Sequence, residues 1–185
     1  KMLAILTVLV GIIGTFGFEC FDDEETCKIL AKEAIQVISK SDAAPGRDTM
    51  PFEVSPTHVI TGNSMLEPFP TKYETAMFGM GCFWSSEHVF YDLDGVFSTQ
   101  VGYAGGYTKN PTYKEVKDNK TGHIEVVRII FDPTIIEYKN LLKLFWEKHN
   151  PCQGMRQGID YGTQYRSAIF YYNDIQKELA IKTYK

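Results

Sequence analysis

The chain has 185 residues, of which 44% are hydrophobic and 14% aromatic, enough to bury one globular core. The formal net charge is −4 and the lysines and arginines are scattered, so the sequence provides no basic field for nucleic-acid binding. Its four cysteines include no Cys-x-x-Cys pair, which is too sparse for a disulfide framework or a zinc site.

Residues 1–17 are mostly apolar, and an acidic run begins soon afterwards at Asp22. The apolar stretch is shorter than the roughly 20 residues that a membrane span needs, and it is typical of a secretory signal peptide. We therefore expect secretion or delivery to the ER lumen, with the cytoplasm or mitochondrion as the alternative. A retained hydrophobic anchor is the alternative for the segment itself.

Residues 18–75 are predicted to form an N-terminal extension with a short helix and then a proline-rich linker. The helix is predicted over Asp22–Lys40, where apolar residues follow a helical period, and Cys20 could pair with Cys27 in an exported chain. From Ser41 to Lys72 prolines recur without any helical or strand period. This stretch is predicted to lie along the surface of the main domain, residues 76–185.

The most informative stretch of that domain is Gly79 to Trp84, where one cysteine is followed by two aromatic rings. Apolar residues between Ser85 and Leu93 fit one face of a short helix, so Cys82 is predicted at a strand-to-helix junction. Backbone N–H groups at a helix start favour an anion and thus a thiolate nucleophile. The alternative is that Cys82 is an ordinary buried thiol.

Two strands are predicted next, Val96–Tyr103 and a second strand that runs to Phe131. On the second strand Glu125 shares a face with three apolar residues. A carboxyl group is unfavourable there unless it is paired or protonated, which marks Glu125 as a candidate acid. The alternative is that Glu125 faces solvent. His123 is interpreted as a hydrogen-bonding loop residue.

The last part of the chain is predicted to contain a helix over Glu137–His149, a polar loop to Thr163 that covers a site, and a strand over Gln164–Tyr172. Asn173 is predicted to cap a final helix, with Gln176 at the capping-box position. The order of strands and helices predicts a two-layer sandwich with helices against one sheet.

Six motifs together resemble the peptide methionine sulfoxide reductase A family, and they span about Ala76 to the C-terminus. They are Gly81-Cys82-Phe83-Trp84, Gly102-Tyr103-Ala104-Gly105-Gly106-Tyr107, Asn110-Pro111-Thr112-Tyr113, Thr121-Gly122-His123-Ile124-Glu125, Gln153-Gly154-Met155-Arg156-Gln157-Gly158 and Gly162-Thr163-Gln164-Tyr165-Arg166-Ser167.

This resemblance implies an α+β two-layer sandwich with a ferredoxin-like core, its mixed sheet covered by helices. It implies reduction of the S epimer of methionine sulfoxide, free or in oxidised proteins and peptides, and hence protein repair under oxidative stress. No bound cofactor and no metal are implied, and thioredoxin or another dithiol is the implied external reductant. The protein is expected to act as a monomer.

The resemblance also implies a role for each matching residue. Cys82 is the nucleophile, which becomes a sulfenic acid, and Glu125 is the acid. Tyr113 and Tyr165 bind the sulfoxide oxygen. Substrate binding falls to Phe83 and Trp84, which enclose the methyl group, and to Asp160, which orders the polar side of the site.

The sequence departs from the family pattern at Ser85, at Ile159 and at Cys152. Many family members recycle the sulfenic acid through cysteines in a C-terminal tail, which we expect to lie beyond Lys185 in a longer chain. Cys152 is the other candidate for the resolving thiol, but the sequence favours an incidental half-buried cysteine, because a disulfide needs the two Cα atoms within roughly 7 Å and no sequence pattern indicates that.

Two other classes of function remain open from the sequence. One is a cysteine hydrolase in which His123 or His149 serves Cys82 as the base. The other is a protein that binds oxidised methionine without turnover, against which the presence of both Cys82 and Glu125 argues.

Overall fold

The computed structural model describes residues 2–4, 11–13 and 36–183 of the chain. Within these residues the strands are β1 (Met2–Ala4), β2 (Gly11–Ile13), β3 (Glu74–Gly79), β4 (Val96–Ala104), β5 (Ile124–Phe131), β6 (Arg156–Gln157), β7 (Asp160–Tyr161) and β8 (Ala168–Tyr171). Six of them form one sheet in the order β1-β4-β5-β3-β8-β2, while β6 and β7 form a separate hairpin.

Four α-helices and two 3-10 helices lie in the same described residues. The α-helices are α1 (Phe83–His88), α2 (Tyr113–Lys117), α3 (Tyr138–Lys148) and α4 (Asp174–Thr183). The 3-10 helices, Pro151–Gln153 and Thr163–Tyr165, lie on either side of the β6–β7 hairpin.

The order β3-α1-β4-β5-α3-β8 places the four central strands as β4-β5-β3-β8, with every neighbouring pair antiparallel. This is the connectivity of a ferredoxin-like unit. Because β1 runs parallel to β4, the full sheet is mixed. The predicted α+β two-layer sandwich is therefore confirmed.

The main core lies between the sheet and α3. Helix α3 forms because its apolar residues recur every three or four positions, and Leu141, Leu142 and Phe145 are fully buried. They belong to one cluster with Phe78 of β3 and Val127 of β5. Since residues alternate along a strand, Glu125 lies on this same helix-covered face of the sheet.

The predicted strands at β4 and β5 and the predicted helix at α3 agree with the structure to within two residues. Asn173 caps α4, because its Oδ1 accepts the backbone N–H of Gln176 at 2.9 Å. Helix α1 starts two residues earlier than predicted and ends at His88, after which the chain continues in turns.

The strand predicted over Gln164–Tyr172 is wrong in its first half. Its opening residues lie in a 3-10 helix, in which the backbone N–H of Tyr165 bonds the carbonyl of Gly162 at 3.0 Å. The buried Arg166 guanidinium holds this turn through the Thr163 carbonyl, at 2.5 Å. Strand β8 itself begins only at Ala168.

Most of the N-terminal predictions lie outside the described residues. Of the helix predicted over Asp22–Lys40, only residues 36–40 are described, and they are not helical. In the signal-like segment 1–17, β1 and β2 pair with edges of the sheet. Residues 41–72 contain neither helix nor strand, as predicted. In the described part of the chain, no helix is long and apolar enough to cross a membrane.

Candidate functional site

Cys82 lies immediately before α1, after a tight glycine turn that follows β3. Gly81 adopts a φ of 93°, which favours glycine, and a Cβ there would lie 2.5 Å from Cβ of Gln157. The β6–β7 hairpin therefore packs directly on the loop that carries the thiol. Cys82 is a free cysteine and is half-buried, so its sulfur combines partial exposure with a fixed position.

Glu125 is the buried carboxyl group next to this loop, with only 2% of its surface exposed. The backbone N–H of Phe83, the first residue of α1, donates to Oε2 of Glu125 at 3.0 Å. Because Oε2 accepts that hydrogen bond, Oε1 is the oxygen available to carry a proton.

Burial raises the pKa of Glu125 to about 7, although the Phe83 hydrogen bond opposes the rise. The negative charge of Asp160 raises the pKa further. The carboxyl group is therefore substantially protonated near neutral pH, the condition that a proton donor requires.

Two tyrosines, Tyr103 and Tyr165, lie near this carboxyl group, and a third, Tyr113, lies near those two. Tyr103 of β4 is the direct cross-strand partner of Glu125, so both side chains lie on the same face of the sheet. Burial and the nearby Glu125 raise the pKa of Tyr103, and the same two causes raise the pKa of Tyr165 to about 12. Tyr113 contributes to both shifts and so belongs to the same cluster. The phenols of Tyr103 and Tyr165 are held as hydrogen-bond donors at neutral pH.

The two aromatic residues after Cys82 have different environments. Phe83 is buried and its ring centroid lies 5.7 Å from that of Tyr103. Trp84 is 71% exposed, with its ring centroid 6.0 Å from that of Phe83. Phe83 thus forms part of the floor of the site, while Trp84 lies on its open side.

The loop predicted to cover the site contains Asp160 and Cys152. Asp160 lies in β7, half-buried, opposite Gln157 of β6. The side chain of Gln157 bonds the backbone N–H and carbonyl of Asn150, at 3.1 and 2.8 Å. Asn150 in turn accepts the backbone N–H of Cys152 at 2.9 Å. These hydrogen bonds connect Cys152, through Asn150, to Gln157, which packs on Gly81. The loop is therefore held together next to the turn that carries Cys82.

Both histidines considered as bases are engaged elsewhere. In His123 one ring nitrogen accepts the Gly106 N–H at 3.1 Å and the other bonds the Thr108 carbonyl at 2.8 Å. In His149 Nδ1 bonds the Phe145 carbonyl at 2.6 Å and Nε2 bonds Ser167 Oγ at 2.8 Å. Burial lowers the pKa of both, that of His149 to about 4. Both ring nitrogens of each histidine therefore bond groups other than Cys82, which argues against the hydrolase hypothesis.

Sequence reasoning assigned no role to Tyr103 or Gln157, although both lie in motifs that carry the family resemblance. Tyr103 becomes a candidate only once the register of the two predicted strands is known, since that register pairs it with Glu125. Gln157 had no comparable signal, because its contact with Gly81 joins residues far apart in sequence.

Among the described residues, no group of three or more histidine, cysteine, aspartate or glutamate side chains is arranged to hold a metal ion. The polar groups of the site are instead one thiol, two carboxyl groups and three phenols.

Comparison with known proteins identifies the family. A family model described as peptide methionine sulfoxide reductase matches residues 74–185, more than half of the chain. The chain belongs to the peptide methionine sulfoxide reductase family. The resemblance inferred from the six motifs is therefore confirmed.

Individual members of the reductase family are similar over most of the chain. The mitochondrial peptide methionine sulfoxide reductase of Mus musculus is 53% identical over 154 residues, 83% of this chain and 66% of the mouse protein. The peptide methionine sulfoxide reductase MsrA of Vibrio parahaemolyticus is 52% identical over 147 residues, which cover 80% of this chain and 69% of the Vibrio protein. The chain spans slightly less than two thirds of the length of the mouse relative.

The fold of a reductase from Corynebacterium diphtheriae also matches. Its methionine sulfoxide reductase A structure superimposes with a TM-score of 0.73 at 35% identity, covering 80% of this chain and 72% of that one. The site described above thus occurs on the fold of this family.

Proposed function

We propose that this protein reduces the S epimer of methionine sulfoxide, free or within oxidised proteins, back to methionine. The observation that carries the proposal is the placement of the buried, largely protonated Glu125 against the first N–H of α1, one residue after the Cys82 thiol. A sulfur nucleophile and a proton donor are the two groups that this reduction needs.

The reaction begins when the Cys82 thiolate attacks the sulfoxide sulfur. Charge develops on the sulfoxide oxygen, and Glu125 supplies a proton or a strong hydrogen bond from Oε1. The oxygen, carrying the proton from Glu125, moves to the cysteine sulfur as the sulfur–oxygen bond of the substrate and the transient sulfur–sulfur bond to Cys82 break. The products are methionine and the Cys82 sulfenic acid, so the cysteine is oxidised as the sulfoxide is reduced.

The surrounding side chains position the substrate. Tyr113 and Tyr165 donate hydrogen bonds to the sulfoxide oxygen, where negative charge develops. Phe83 and Trp84 enclose the methyl group, and Asp160 orders the polar side. Selectivity for one epimer follows because the methyl group and the oxygen have separate, chemically different places in the site.

A thiol must then reduce the sulfenic acid. Attack of a second thiol on the sulfenic sulfur releases water and forms a disulfide, which thioredoxin or another dithiol reduces. Cys152 is one candidate for this thiol, since its loop folds over the cysteine turn; cysteines beyond Lys185 are the alternative. Cys152→Ser tests this step: loss of turnover with thioredoxin but not with dithiothreitol would support Cys152.

The compartment depends on the N-terminal segment. Its signal-like composition favours secretion or the ER lumen, whereas the name of the mouse relative favours the mitochondrial alternative. Imaging of the full chain with a C-terminal tag against markers of both compartments distinguishes them.

Turnover of a methionine S-sulfoxide peptide by the wild type and Cys82→Ser tests the proposed function. The wild type should reduce only the S epimer, and the variant should lose activity by roughly three orders of magnitude or more. Equal activity of the two proteins would contradict the mechanism. Tight binding of the sulfoxide by the wild type without turnover would indicate a binding protein instead.

A further inference from the structure

Residues 44–48, which precede the part matched by the family model, lie against the loop that leads to Tyr113. The backbone N–H of Arg47 donates to the Lys109 carbonyl at 3.0 Å, and Gly46 forms an isolated parallel bridge with Lys109. A Cβ on Gly46 would lie 2.1 Å from that carbonyl oxygen, so the two backbones are in close contact. This approach places the Arg47 side chain beside α2.

The Arg47 guanidinium forms a forked contact with Glu115, a residue of α2. Its Nη1 lies 2.9 Å from Oε2 of Glu115, and its Nη2 lies 2.7 Å from Oε1. The same Nη1 also donates to the Asn110 carbonyl at 2.6 Å. One side chain therefore joins the loop before α2 to the helix itself, with the two-pronged geometry that arginine alone provides.

Glu115 in turn determines where α2 begins. Its Oε2 accepts the Thr112 backbone N–H at 2.7 Å, while the Thr112 hydroxyl accepts the Glu115 N–H at 3.3 Å, a capping box. Hydrogen bonds from Arg47 and Thr112 hold the pKa of Glu115 at about 2, so the carboxylate is charged at neutral pH. The first residue after this cap is Tyr113.

Helix α2 is only five residues long, so it depends on such contacts for its position. Its inner side is anchored by the buried Val116, which packs with Phe83 and Tyr103. Val116 thus holds one side of the helix against the site, while Arg47 and the capping box hold its start.

We propose that Arg47 is a positioning residue that, through Glu115, fixes the start of α2 and so places the Tyr113 hydroxyl at the site. This inference rests on the proposed function in one respect, namely that Tyr113 binds the sulfoxide oxygen. Its structural content, that Arg47 controls the position of Tyr113, can be measured without turnover.

The kinetic test compares Arg47→Ala and Arg47→Lys with Lys109→Ala. Lys109 is the matched control because its side chain pairs with Asp48 at 2.9 Å on the exposed side of the same contact. Arg47→Ala should lower kcat about tenfold with a smaller change in KM, since misplacing a catalytic donor by about 1 Å can cost up to a hundredfold. Arg47→Lys should recover part of the loss, and Lys109→Ala should resemble the wild type.

A double-mutant cycle separates positioning from a general effect on folding. In the Tyr113→Phe background, Arg47→Ala should have little further effect on kcat, because the hydroxyl that it positions is absent. Strictly additive losses in kcat would overturn the proposal, as would a wild-type kcat for Arg47→Ala.

The readout without substrate is the fluorine NMR signal of 3-fluorotyrosine placed at position 113. The resonance should shift or broaden in Arg47→Ala but not in Lys109→Ala. An unchanged resonance in Arg47→Ala would overturn the proposal even if the protein is an active reductase. If the wild type fails to reduce the sulfoxide, the proposed function fails, while this signal still decides whether Arg47 positions Tyr113.

Discussion

At the scale of single residues, the proposed chemistry requires that Glu125 be protonated. Three features act on this carboxyl group: burial and the charge of Asp160 raise its pKa, and the Phe83 N–H opposes them. Burial is the largest of the three, so the balance favours the protonated acid up to about pH 7. A residue that would be charged on an exposed strand is thereby kept largely protonated near neutral pH.

The first prediction concerns Glu125→Gln and Glu125→Ala. Glutamine keeps a hydrogen-bond donor near the sulfoxide oxygen, so it should retain activity within about tenfold, whereas alanine should lose roughly a hundredfold or more. Steady-state kinetics with a methionine S-sulfoxide peptide measures both. If Glu125→Gln were as impaired as Glu125→Ala, proton transfer would outweigh hydrogen bonding.

In the wild type, kcat/KM should fall above about pH 7 as Glu125 loses its proton, a fall absent from the glutamine variant.

The second prediction concerns stability. Between pH 4.5 and about 7 the folded protein retains a proton on Glu125 that the unfolded chain has lost, so the contribution of Glu125 to the free energy of unfolding falls as pH rises. The full loss is about 3 kcal/mol, reached above pH 7. Glu125→Gln lacks this titration and should gain stability relative to the wild type from pH 4 to pH 8. Urea unfolding of both proteins at pH 4 and pH 8 measures the difference between their free energies of unfolding. If that difference were the same at both pH values, the raised pKa of Glu125 would be contradicted.

At the scale of elements, two helices of the described structure differ in what stabilises them. Helix α3 follows its own apolar periodicity, whereas α2 depends on a capping box and on a contact with Arg47 that spans 68 residues of sequence. Helix α3 still needs a tertiary contact at its end. There His149 bonds the Phe145 carbonyl within the helix and Ser167 just before β8.

The third prediction concerns this helix end. The lowered pKa of His149, about 4, means that the unfolded chain gains a proton below pH 6.5 that the folded protein does not accept. The contribution of His149 to the stability of the wild type should therefore fall by up to about 3 kcal/mol as the pH falls from 6.5 to 4. His149→Gln should be less stable at pH 7, with a deficit that narrows towards pH 4. Urea unfolding across this pH range tests the prediction. If the free energies of unfolding of the two proteins changed in parallel with pH, the prediction would be refuted.

At the scale of the whole molecule, the N-terminal extension is attached to the sheet by side chains. The Arg128 guanidinium of β5 is buried and lies 2.7 Å from the Glu67 carboxylate of the extension. It also faces the Phe69 ring at 5.5 Å, while Gln100 of β4 donates to the Met65 carbonyl. The extension therefore supplies partners for the charged Arg128 and the polar Gln100 of the sheet.

The fourth prediction concerns removal of this attachment. Glu67→Ala leaves the buried Arg128 without its carboxylate, which should lower the free energy of unfolding by about 1 to 2 kcal/mol, since Glu67 itself is about half exposed. Limited proteolysis should then cut the extension faster. Asp48→Ala is the control, because that carboxylate is 96% exposed and its loss should leave the free energy of unfolding close to that of the wild type. Equal effects of the two substitutions would contradict the anchoring role of Glu67.

The sequence by itself determined the features that depend on local patterns. Periodicity located β4, β5 and α3, the glycine-flanked cysteine indicated a strand-to-helix junction, and the motifs identified the family. A carboxyl group among apolar residues of one strand marked Glu125. Each periodic pattern and each single motif is local in the sequence, within the range over which side-chain periodicity and capping act.

Only the tertiary structure decided how distant segments combine. The pairing of β4 with β5 places Tyr103 opposite Glu125, and the hairpin brings Gln157 onto Gly81. The 3-10 turn at Tyr165 replaced a predicted strand because contacts from Arg166 outweigh β propensity. The physical reason is common to all of them: strand register, burial and charge pairing are properties of segments in contact, and residues far apart in sequence carry no local sign of that contact.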